Sequence, residues 1–411
     1  MCEGMRFRAA RGMQPAMATL VLRAGRVKPV YLGHPWIFAQ AVDRVEGAPG
    51  AGDPVEVRDP RGNFIGRGFW SPKSAIPVRL VTRHEEERLD EAALARRLDA
   101  AMAHRRSIGL PDDATTAYRL VHAEGDALPG LVVDVFGSVA VLQIGTAGMR
   151  RHRDALAAHV ARVSGAKTVV SRAVDLQRDE GFADEEEVLR GPEPTELRFR
   201  ERGFEITIPR SLAQKTGYYV DQRRTRARVE ALVRTAGLRS VLDLYSYVGP
   251  IALSAARGGA ERVLAVDSSA PAVAVGGTLA THHDLTVEHR CADVKKLLPE
   301  LKRARERFDL VVCDPPKLVP TRRHLDRGER AYGKLNAEAM SLVADGGFFV
   351  TCSCSAAMDT TRFLRMLAEA ASRAGRQLTL LETDGAPADH PTPIAFPEGR
   401  YLDVVIARVS R

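Results

Sequence analysis

The chain has 411 residues, enough for two or three domains with a sizeable core. Its 45% hydrophobic and 27% charged content is typical of a globular protein, and the absence of any run of roughly 18 apolar residues excludes a membrane-spanning helix. The net charge of +8 favours a polyanionic partner such as nucleic acid.

The N-terminal part of the chain is predicted to be a tail followed by a β domain. Residues 1–17 are basic and lack the apolar segment of a secretory signal, so they are predicted to be a disordered tail, with Met17 an alternative start. Residues 18–88 alternate short apolar runs with glycine and proline turns, which predicts a small β-barrel. Within it, the turn DPRG at 59–62 predicts a hairpin.

A small central α+β domain is predicted over residues 89–209. A helix is expected over 84–110, where apolar residues recur at helical spacing and acids precede bases. Strands are expected at 118–124, 131–137 and 139–145, followed by a helix around 150–163 and further extended segments.

Residues 210–411 show a longer rhythm of apolar strands and helices. This alternation predicts an α/β domain built on a Rossmann-like, doubly wound parallel sheet. The last two strands are predicted at TLLETD (379–384) and YLDVVIARV (401–409).

Two strand ends in this domain carry reactive side chains. FDLVVCDPP (308–316) reads as a buried strand that ends on Asp314 and two prolines, and GGFFVTCSCS (346–355) as a strand that ends on two cysteines. Because ligands of parallel sheets bind beyond the carboxyl ends of the strands, Asp314 and Cys352 are expected to face one pocket. The Asp-Pro-Pro backbone is stiff, so a flat base could stack against it while the Asp314 carboxylate binds the polar edge of the base. With a thiol nearby, this arrangement predicts chemistry on a nucleobase.

Acids at three successive strand ends predict a cofactor site. Asp243 lies in VLDLYSYVG (241–249), which runs into a glycine-containing turn, and Asp267 ends the next strand, where an acid can hold ribose hydroxyls. Asp293 follows the third strand and could bind an adenine amino group. Since the pyrophosphate-binding glycine triplet is absent, S-adenosylmethionine fits better than a nicotinamide.

Two basic segments flank this predicted site, and each has an ordinary alternative. The segment 212–232 could stack and bind phosphate, or could simply be an amphipathic helix with a basic solvent face. Its candidate groups are two adjacent tyrosines with Lys215, Asp221, Gln222, Arg223 and Arg224. The run after residue 321 could hold phosphates or be a solvated charge run, with Arg322, Arg323, Arg327, Arg330 and Lys334 as its cations.

The five cysteines have no metal-ligand spacing, so no metal site is predicted. An odd count without a signal peptide suits a reducing cytoplasm. Cys313 is expected to be a buried small hydrophobe. Cys352 is the preferred nucleophile, with Cys354 able to replace it.

With these motifs in order, the chain resembles a known family: bacterial S-adenosylmethionine-dependent 23S ribosomal RNA (cytosine-5) methyltransferases with an N-terminal PUA domain. The similarity runs from about residue 18 to the C-terminus. The motifs that carry it are GHPWIFAQAV (33–42), YRLVHAEGDALPGLVVDVFG (118–137), QKTGYYVDQRRTR (214–226), DLYSYVG (243–249), CDPP (313–316) and TCSCS (351–355).

The resemblance implies S-adenosylmethionine as methyl donor, an RNA substrate, a PUA module that helps to hold the RNA, and Cys352 as nucleophile with Asp314 beside it. A homodimer is a further candidate for the assembly of the protein. The expected cofactor-binding residues are Gln214, Lys215, Tyr218, Asp221, Asp243, Tyr245, Tyr247, Gly249, Asp267, Ser268, Asp293 and Asp314.

The chemistry expected is covalent catalysis on cytosine. A thiolate adds to carbon 6 of the ring, carbon 5 takes the methyl group, and Asp314 hydrogen-bonds the ring nitrogen and exocyclic amine. The base that removes the carbon-5 proton is left open between Cys354 and a water held by Asp314.

Two departures from the family pattern keep alternatives open. Pro250 and Ile251 follow Gly249 where the family continues Gly-Gly-Phe, and Lys317 and Leu318 follow the two prolines where the family prefers a small residue and phenylalanine. The alternatives are an N-methyltransferase acting on guanine or adenine of ribosomal RNA, and a non-catalytic RNA-binding or assembly protein.

Overall fold

A computed structural model describes residues 17–319, 322–355 and 357–411, leaving out the side chain of residue 322. The predicted tail therefore lies outside the described residues, apart from Met17. Within the described ranges, the helices are too short or too polar to cross a lipid bilayer.

The first part of the chain forms a six-stranded sheet. Its elements are β1 (Ala18–Leu22), α1 (Lys28–Tyr31), β2 (Trp36–Ile37), β3 (Val42–Glu46), β4 (Pro54–Arg58), β5 (Phe64–Trp70) and β6 (Val78–Thr82). The strand order is β2-β6-β5-β4-β1-β3. Strands β4 and β5 pair antiparallel with Val57 opposite Gly66, so the hairpin predicted at 59–62 is confirmed.

The central part combines a five-stranded sheet with a separate hairpin. Its elements are α2 (Glu91–Ser107), β7 (Ala117–His122), β8 (Leu131–Phe136), β9 (Val139–Ile144), α3 (Ala147–Arg151), α4 (Arg153–Ser164), β10 (Thr168–Arg172), α5 (Leu176–Glu180), β11 (Glu187–Arg190), β12 (Glu196–Glu201) and β13 (Phe204–Pro209). The predicted helix over 84–110 begins later, at Glu91, because the Asp90 carboxylate accepts a hydrogen bond from the Ala93 N–H and caps the first turn.

The C-terminal part is a seven-stranded sheet with helices on both faces. Its elements are α6 (Arg223–Ala236), β14 (Ser240–Leu244), α7 (Pro250–Arg257), β15 (Arg262–Asp267), α8 (Ala270–His282), β16 (Glu288–Cys291), α9 (Val294–Arg303), β17 (Phe308–Cys313), α10 (Leu325–Met340), β18 (Val343–Ser353), α11 (Thr360–Ala374), β19 (Gln377–Asp384) and β20 (Asp403–Ser410). The order is β16-β15-β14-β17-β18-β20-β19. Strands β14–β18 run parallel and β20 is antiparallel to both neighbours, so the doubly wound sheet and the two last strands are confirmed.

The hydrophobic core explains why these strands read as continuous apolar runs. Helices α9, α10 and α11 pack on one face of the sheet, and α6 and α7 pack on the other. Both faces are covered, so β17 is buried along almost its whole length. The six-, five- and seven-stranded sheets occupy successive stretches of the chain, while the domain boundaries at 88/89 and 209/210 remain predictions.

A buried ion pair ties the β12–β13 hairpin to α6. Glu201 accepts two hydrogen bonds from the Arg226 guanidinium, at 2.5 and 2.6 Å, and both side chains are almost fully buried. Arg226 also lies over the Tyr218 ring, 4.7 Å from its centroid, and donates to the Tyr219 carbonyl. Removing the cation would leave the Glu201 carboxylate buried without a counter-charge.

Arg226→Met should therefore lower the free energy of unfolding by about 3–5 kcal/mol, measured by urea denaturation. The matched control is Arg228→Met on the same helix, since Arg228 pairs with Glu382 at a site where both side chains are partly exposed. The control should cost at most about 1 kcal/mol. Equal shifts for the two variants would contradict the assignment.

Candidate active site

The turn after β14 is shaped to receive a ligand close to its backbone. Tyr245, Tyr247 and Gly249 all have positive φ, at 65°, 55° and 75°. Left-handed backbone is costly for tyrosine, so two such residues in one turn mark a strained segment held by its surroundings. A Cβ at Gly249 would lie 2.7 Å from His289 Nε2, which explains the glycine.

Asp267 holds this turn from the end of β15. One carboxylate oxygen accepts from the Tyr247 N–H and the other from the Ser269 N–H, each at 2.9 Å. The acid predicted to bind ribose thus also fixes the turn beside it. Ser268 is exposed next to it.

Polar atoms at this turn lack partners and fit a polar cofactor. Asp243 accepts the Ala252 N–H with one oxygen at 3.1 Å, while its other oxygen and the Ser246 hydroxyl are buried without a hydrogen bond among the described residues. Burial, with the nearby charges of Asp314 and Asp267, raises the pKa of Asp243 well above its usual value. Buried polar groups of this kind are normally paired, so a ligand that supplies donors fits here.

Asp293 has a structural role that the sequence analysis did not include. It is the N-cap of α9, and its carboxylate accepts from the Lys295 N–H at 2.8 Å. The side chain is exposed, so its remaining lone pairs are open to a ligand.

The segment before α6 presents a lysine and an acid to the ends of β17 and β18. Lys215 Nζ lies 3.7 Å from Asp221 and 4.6 Å from the centroid of the Tyr219 ring. Burial disfavours the charged form of Asp221, but Lys215, His390 and Arg119 outweigh it and lower the pKa to about 2. Asp221 is therefore a permanent anion near neutral pH.

Two more residues predicted to bind the cofactor lie in this segment, Tyr218 and Gln214. Tyr218 is 2% exposed and packs beside Phe199, with ring centroids 5.0 Å apart, and its hydroxyl finds no partner among the described residues. Tyr218 therefore packs in the core, and its role in binding the cofactor stays a prediction. Gln214 is exposed and accepts a hydrogen bond from the Tyr219 hydroxyl.

Asp314 follows β17 and is half-buried. It precedes the buried Pro315 and contacts the segment before α6. Its Oδ2 accepts a hydrogen bond from Gln222 Nε2 at 2.9 Å. Burial and the fixed negative charge of Asp221 raise the pKa of Asp314 to about 6. The carboxyl group can therefore gain or lose a proton near physiological pH.

The two cysteines of TCSCS have different surroundings. Cys352 is still inside β18, is fully buried in the core against α6 and α7, and burial raises the pKa of its thiol well above the usual value. Cys354 is the first cysteine past the strand end and is half-buried. Burial raises the pKa of Cys354, Lys215 and Lys317 lower it, and Asp314 raises it, so Cys354 lies among the charged groups of this site.

The basic run after β17 leaves several cations without acidic partners. Arg323 and Arg327 are exposed, and within the described ranges no ion pair involves them or Lys317. Lys334 pairs loosely with Glu338, at 3.9 Å. The side chain of Arg322 lies outside the described residues.

Sequence reasoning missed His289 and Tyr401. His289 fills the space that Gly249 and Gly276 leave open. Tyr401 donates a hydrogen bond to Asp221 at 2.7 Å across 180 residues of sequence. Neither residue belongs to a short motif, so only the folded chain reveals these contacts. Among the described residues, no group of three His, Cys, Asp or Glu side chains could hold a metal ion.

The C-terminal sheet is doubly wound, and its last strand in the chain, β20, runs antiparallel to both neighbours. Together with acids at successive strand ends, this arrangement defines a class I methyltransferase that uses S-adenosylmethionine. Comparisons with known proteins agree with this class. Residues 20–83 match the PUA-like domain family, and residues 146–395 match the S-adenosylmethionine-dependent methyltransferase family. The chain belongs to this methyltransferase family, and its cofactor is S-adenosylmethionine.

Relatives extend the match over nearly the whole chain. A protein of Alteromonas mediterranea named "Ribosomal RNA large subunit methyltransferase I" is 35% identical over 96% of this chain and 99% of its own length. One of the same name from Shewanella denitrificans is 36% identical over 94% and 98%. A structure described as a SAM-dependent methyltransferase of Streptococcus mutans, 19% identical, covers 95% of this chain and all of its own with a TM-score of 0.80, which supports the fold.

Asp267→Asn should weaken S-adenosylmethionine binding about 10- to 100-fold by calorimetry. The variant replaces one of the two acceptor oxygens with an amide that opposes a backbone N–H, and hydrogen bonds to a charged group contribute about 1.5–3 kcal/mol. Glu288→Gln on the neighbouring strand is the control, because Glu288 is exposed and, among the residues that the structure describes, pairs with Arg290 alone. An unchanged dissociation constant for Asp267→Asn would remove this residue from the cofactor site.

Proposed function

We propose that this protein transfers the methyl group of S-adenosylmethionine to carbon 5 of a cytosine in 23S ribosomal RNA, in the cytoplasm. The observation that carries the proposal is the placement of a titratable carboxyl, Asp314, and a half-buried thiol, Cys354, at the ends of two adjacent parallel strands. The names of the relatives support ribosomal RNA as the substrate.

The attacking thiol in this proposal is Cys354, in place of Cys352. A thiol that is 0% exposed inside a strand cannot reach a base unless the sheet moves, whereas Cys354 lies past the strand end. Burial and the Asp314 and Asp221 carboxylates raise the pKa of the Cys354 thiol, while two ammonium groups, Lys215 and Lys317, oppose that rise and favour the thiolate. The Cys352 thiol interacts instead with the Gln222 side chain.

S-adenosylmethionine supplies an electrophilic methyl group on a positively charged sulfur. The residues proposed to hold it are Asp243, Tyr245, Tyr247, Gly249, Asp267, Ser268 and Asp293. The protein's own contribution is to make carbon 5 of cytosine nucleophilic. When the Cys354 thiolate adds to carbon 6, negative charge develops at ring nitrogen 3, and this addition is covalent catalysis.

Asp314 meets that developing charge. In its protonated form it donates to ring nitrogen 3, while its carbonyl oxygen accepts from the 4-amino group, which is the pattern that distinguishes cytosine from uracil. Its pKa of about 6 makes this proton available to a bound base. With Cys354 used as the nucleophile, a water held by Asp314 is the remaining candidate for removing the carbon-5 proton. As that proton leaves, the double bond between carbons 5 and 6 re-forms, the bond from carbon 6 to sulfur breaks, and Cys354 leaves as a thiolate. The proton on ring nitrogen 3 returns to Asp314, which leaves 5-methylcytosine as the product.

The exposed cations beside the Asp-Pro-Pro segment suit an RNA backbone. Lys317, Arg323 and Arg327 are proposed to contact phosphates, and the PUA-like domain to hold a second part of the RNA. A base in a paired region would be flipped out of its stack to reach Asp314. A homodimer remains a prediction that light scattering tests.

The test compares Cys354→Ser and Cys352→Ser with tritiated S-adenosylmethionine and unmodified 23S ribosomal RNA. Wild type should yield labelled 5-methylcytosine, Cys354→Ser should lose at least about a thousandfold in rate because a hydroxyl is far less ionised than a thiol, and Cys352→Ser should retain most activity. Loss confined to Cys352→Ser would return the nucleophile to Cys352.

The same assay decides the alternative of an amine target. Label on guanine or adenine, undiminished in both cysteine variants, would replace the proposal with an N-methyltransferase, a reaction that needs no thiol. The departure at Lys317 and Leu318, beside the expected base pocket, is the observation that keeps this alternative in the test.

The rate should also depend on pH in a way that identifies Asp314. The reactive arrangement carries one proton between the carboxyl and the Cys354 thiol, so kcat/KM should rise as the pH increases through about 6 and fall only once the thiol loses its proton at high pH. Asp314→Asn should lower the rate and abolish the rise near pH 6. A rise that persists in this variant would assign the titration to another group.

A further inference from the structure

Gln222 lies where it can control the orientation of Asp314. It immediately precedes α6, is 5% exposed, and makes no capping hydrogen bond to the helix. Its carboxamide points instead to the end of β17, where Nε2 donates to Asp314 Oδ2 at 2.9 Å. The same amide interacts with the Cys352 thiol.

Thr225 decides which end of the amide faces Asp314. The Thr225 hydroxyl donates to Gln222 Oε1 at 2.6 Å, and both side chains are buried. If the amide were reversed, its oxygen would oppose the carboxylate oxygen, and two acceptors would meet without a proton between them. The Thr225–Gln222–Asp314 chain is therefore fully satisfied only in the orientation observed.

This series of hydrogen bonds leaves Oδ1, the other carboxyl oxygen of Asp314, available. Within the described ranges, no hydrogen bond is made to Oδ1. Because Oδ2 is fixed by the amide, the carboxyl cannot rotate freely about its terminal bond. In the proposed reaction Oδ1 then carries the proton for ring nitrogen 3, while Oδ2 keeps a second lone pair that can accept from the 4-amino group.

We propose that Gln222 is a positioning residue for methyl transfer, which holds the Asp314 carboxyl in its productive rotamer and is itself oriented by Thr225. The inference rests on the proposed function and extends it to two residues that touch neither the cofactor nor the base. It also has an electrostatic part, since an N–H donated to a carboxylate favours the ionised form and lowers the pKa.

The experiment measures single-turnover methylation of unmodified 23S ribosomal RNA across pH, with calorimetric binding of S-adenosylmethionine as a second readout. Gln222→Leu should lower the rate about 10- to 100-fold, because catalysis is sensitive to misplacement of this size, and should move the rise near pH 6 to higher pH. Gln222→Glu should move the rise further, because a second carboxyl opposes Asp314. Cofactor affinity should change less than about twofold in each.

Thr225 provides the matched pair of variants. Thr225→Val removes the hydroxyl and should reproduce the loss and the shift of Gln222→Leu in weaker form, whereas Thr225→Ser keeps the hydroxyl and should restore wild-type behaviour. A wild-type rate and pH profile in both Gln222→Leu and Thr225→Val would overturn the inference. A rate loss with weakened cofactor binding and an unmoved rise would also overturn it, since that result reports a structural role.

Failure of the inference and failure of the proposed function give different results. If Asp314→Asn is as active as wild type, the proposed chemistry fails. If Asp314→Asn is impaired, adding Gln222→Leu should cost nothing more, because the residue acts only through Asp314. An additive loss in the double variant would separate Gln222 from Asp314 and refute the positioning role while leaving the function intact.

Discussion

Two buried carboxylates, Asp134 and Asp221, hold the segment 214–222 in place between the five-stranded and the seven-stranded sheet. Asp134, on β8, accepts from Arg119 at 2.8 Å and from Thr216 at 2.5 Å. Asp221 accepts from Tyr401, which lies in the connection between β19 and β20. Burying such charges is costly unless each is paired, and here each has a partner from a different part of the fold. The segment 214–222 thus has its geometry fixed from both sides.

The electrostatics of the active site follow from this arrangement. Because Asp221 remains charged beside Lys215, its field acts on Asp314 and helps to raise the pKa of that second carboxyl to about 6. Two acids of the same chemical kind thereby acquire different pKa values in one site, which is how proteins divide acid and charge-holding roles. In the proposed function, the target base lies beside the two prolines that follow Asp314 and the half-buried thiol of Cys354.

The fold could be read from the sequence where apolar runs are continuous, as in β14, β15 and β17, which are buried on both faces and have an acid at or beside their last residue. The helix over 84–110 was placed too early, since Asp90 is the cap and not an interior residue. The choice between Cys352 and Cys354 could not be made from spacing, because it depends on where β18 ends. The bonds from Tyr401 to Asp221 and from Gln222 to Asp314 join residues 180 and 92 positions apart, so no local pattern encodes them.

The connection between β19 and β20 has a consequence for synthesis of the protein. Asp389 there accepts the Arg119 N–H and pairs with Arg223, and Tyr401 completes the shell of Asp221. During translation the segment 214–222 emerges from the ribosome before Asp389 and Tyr401 do. Since chains fold progressively as they emerge, the nascent protein has an incomplete site until its last strands pair. The contacts of Asp389 and Tyr401 with this part of the fold therefore form only at the end of synthesis, when the last residues of the protein emerge.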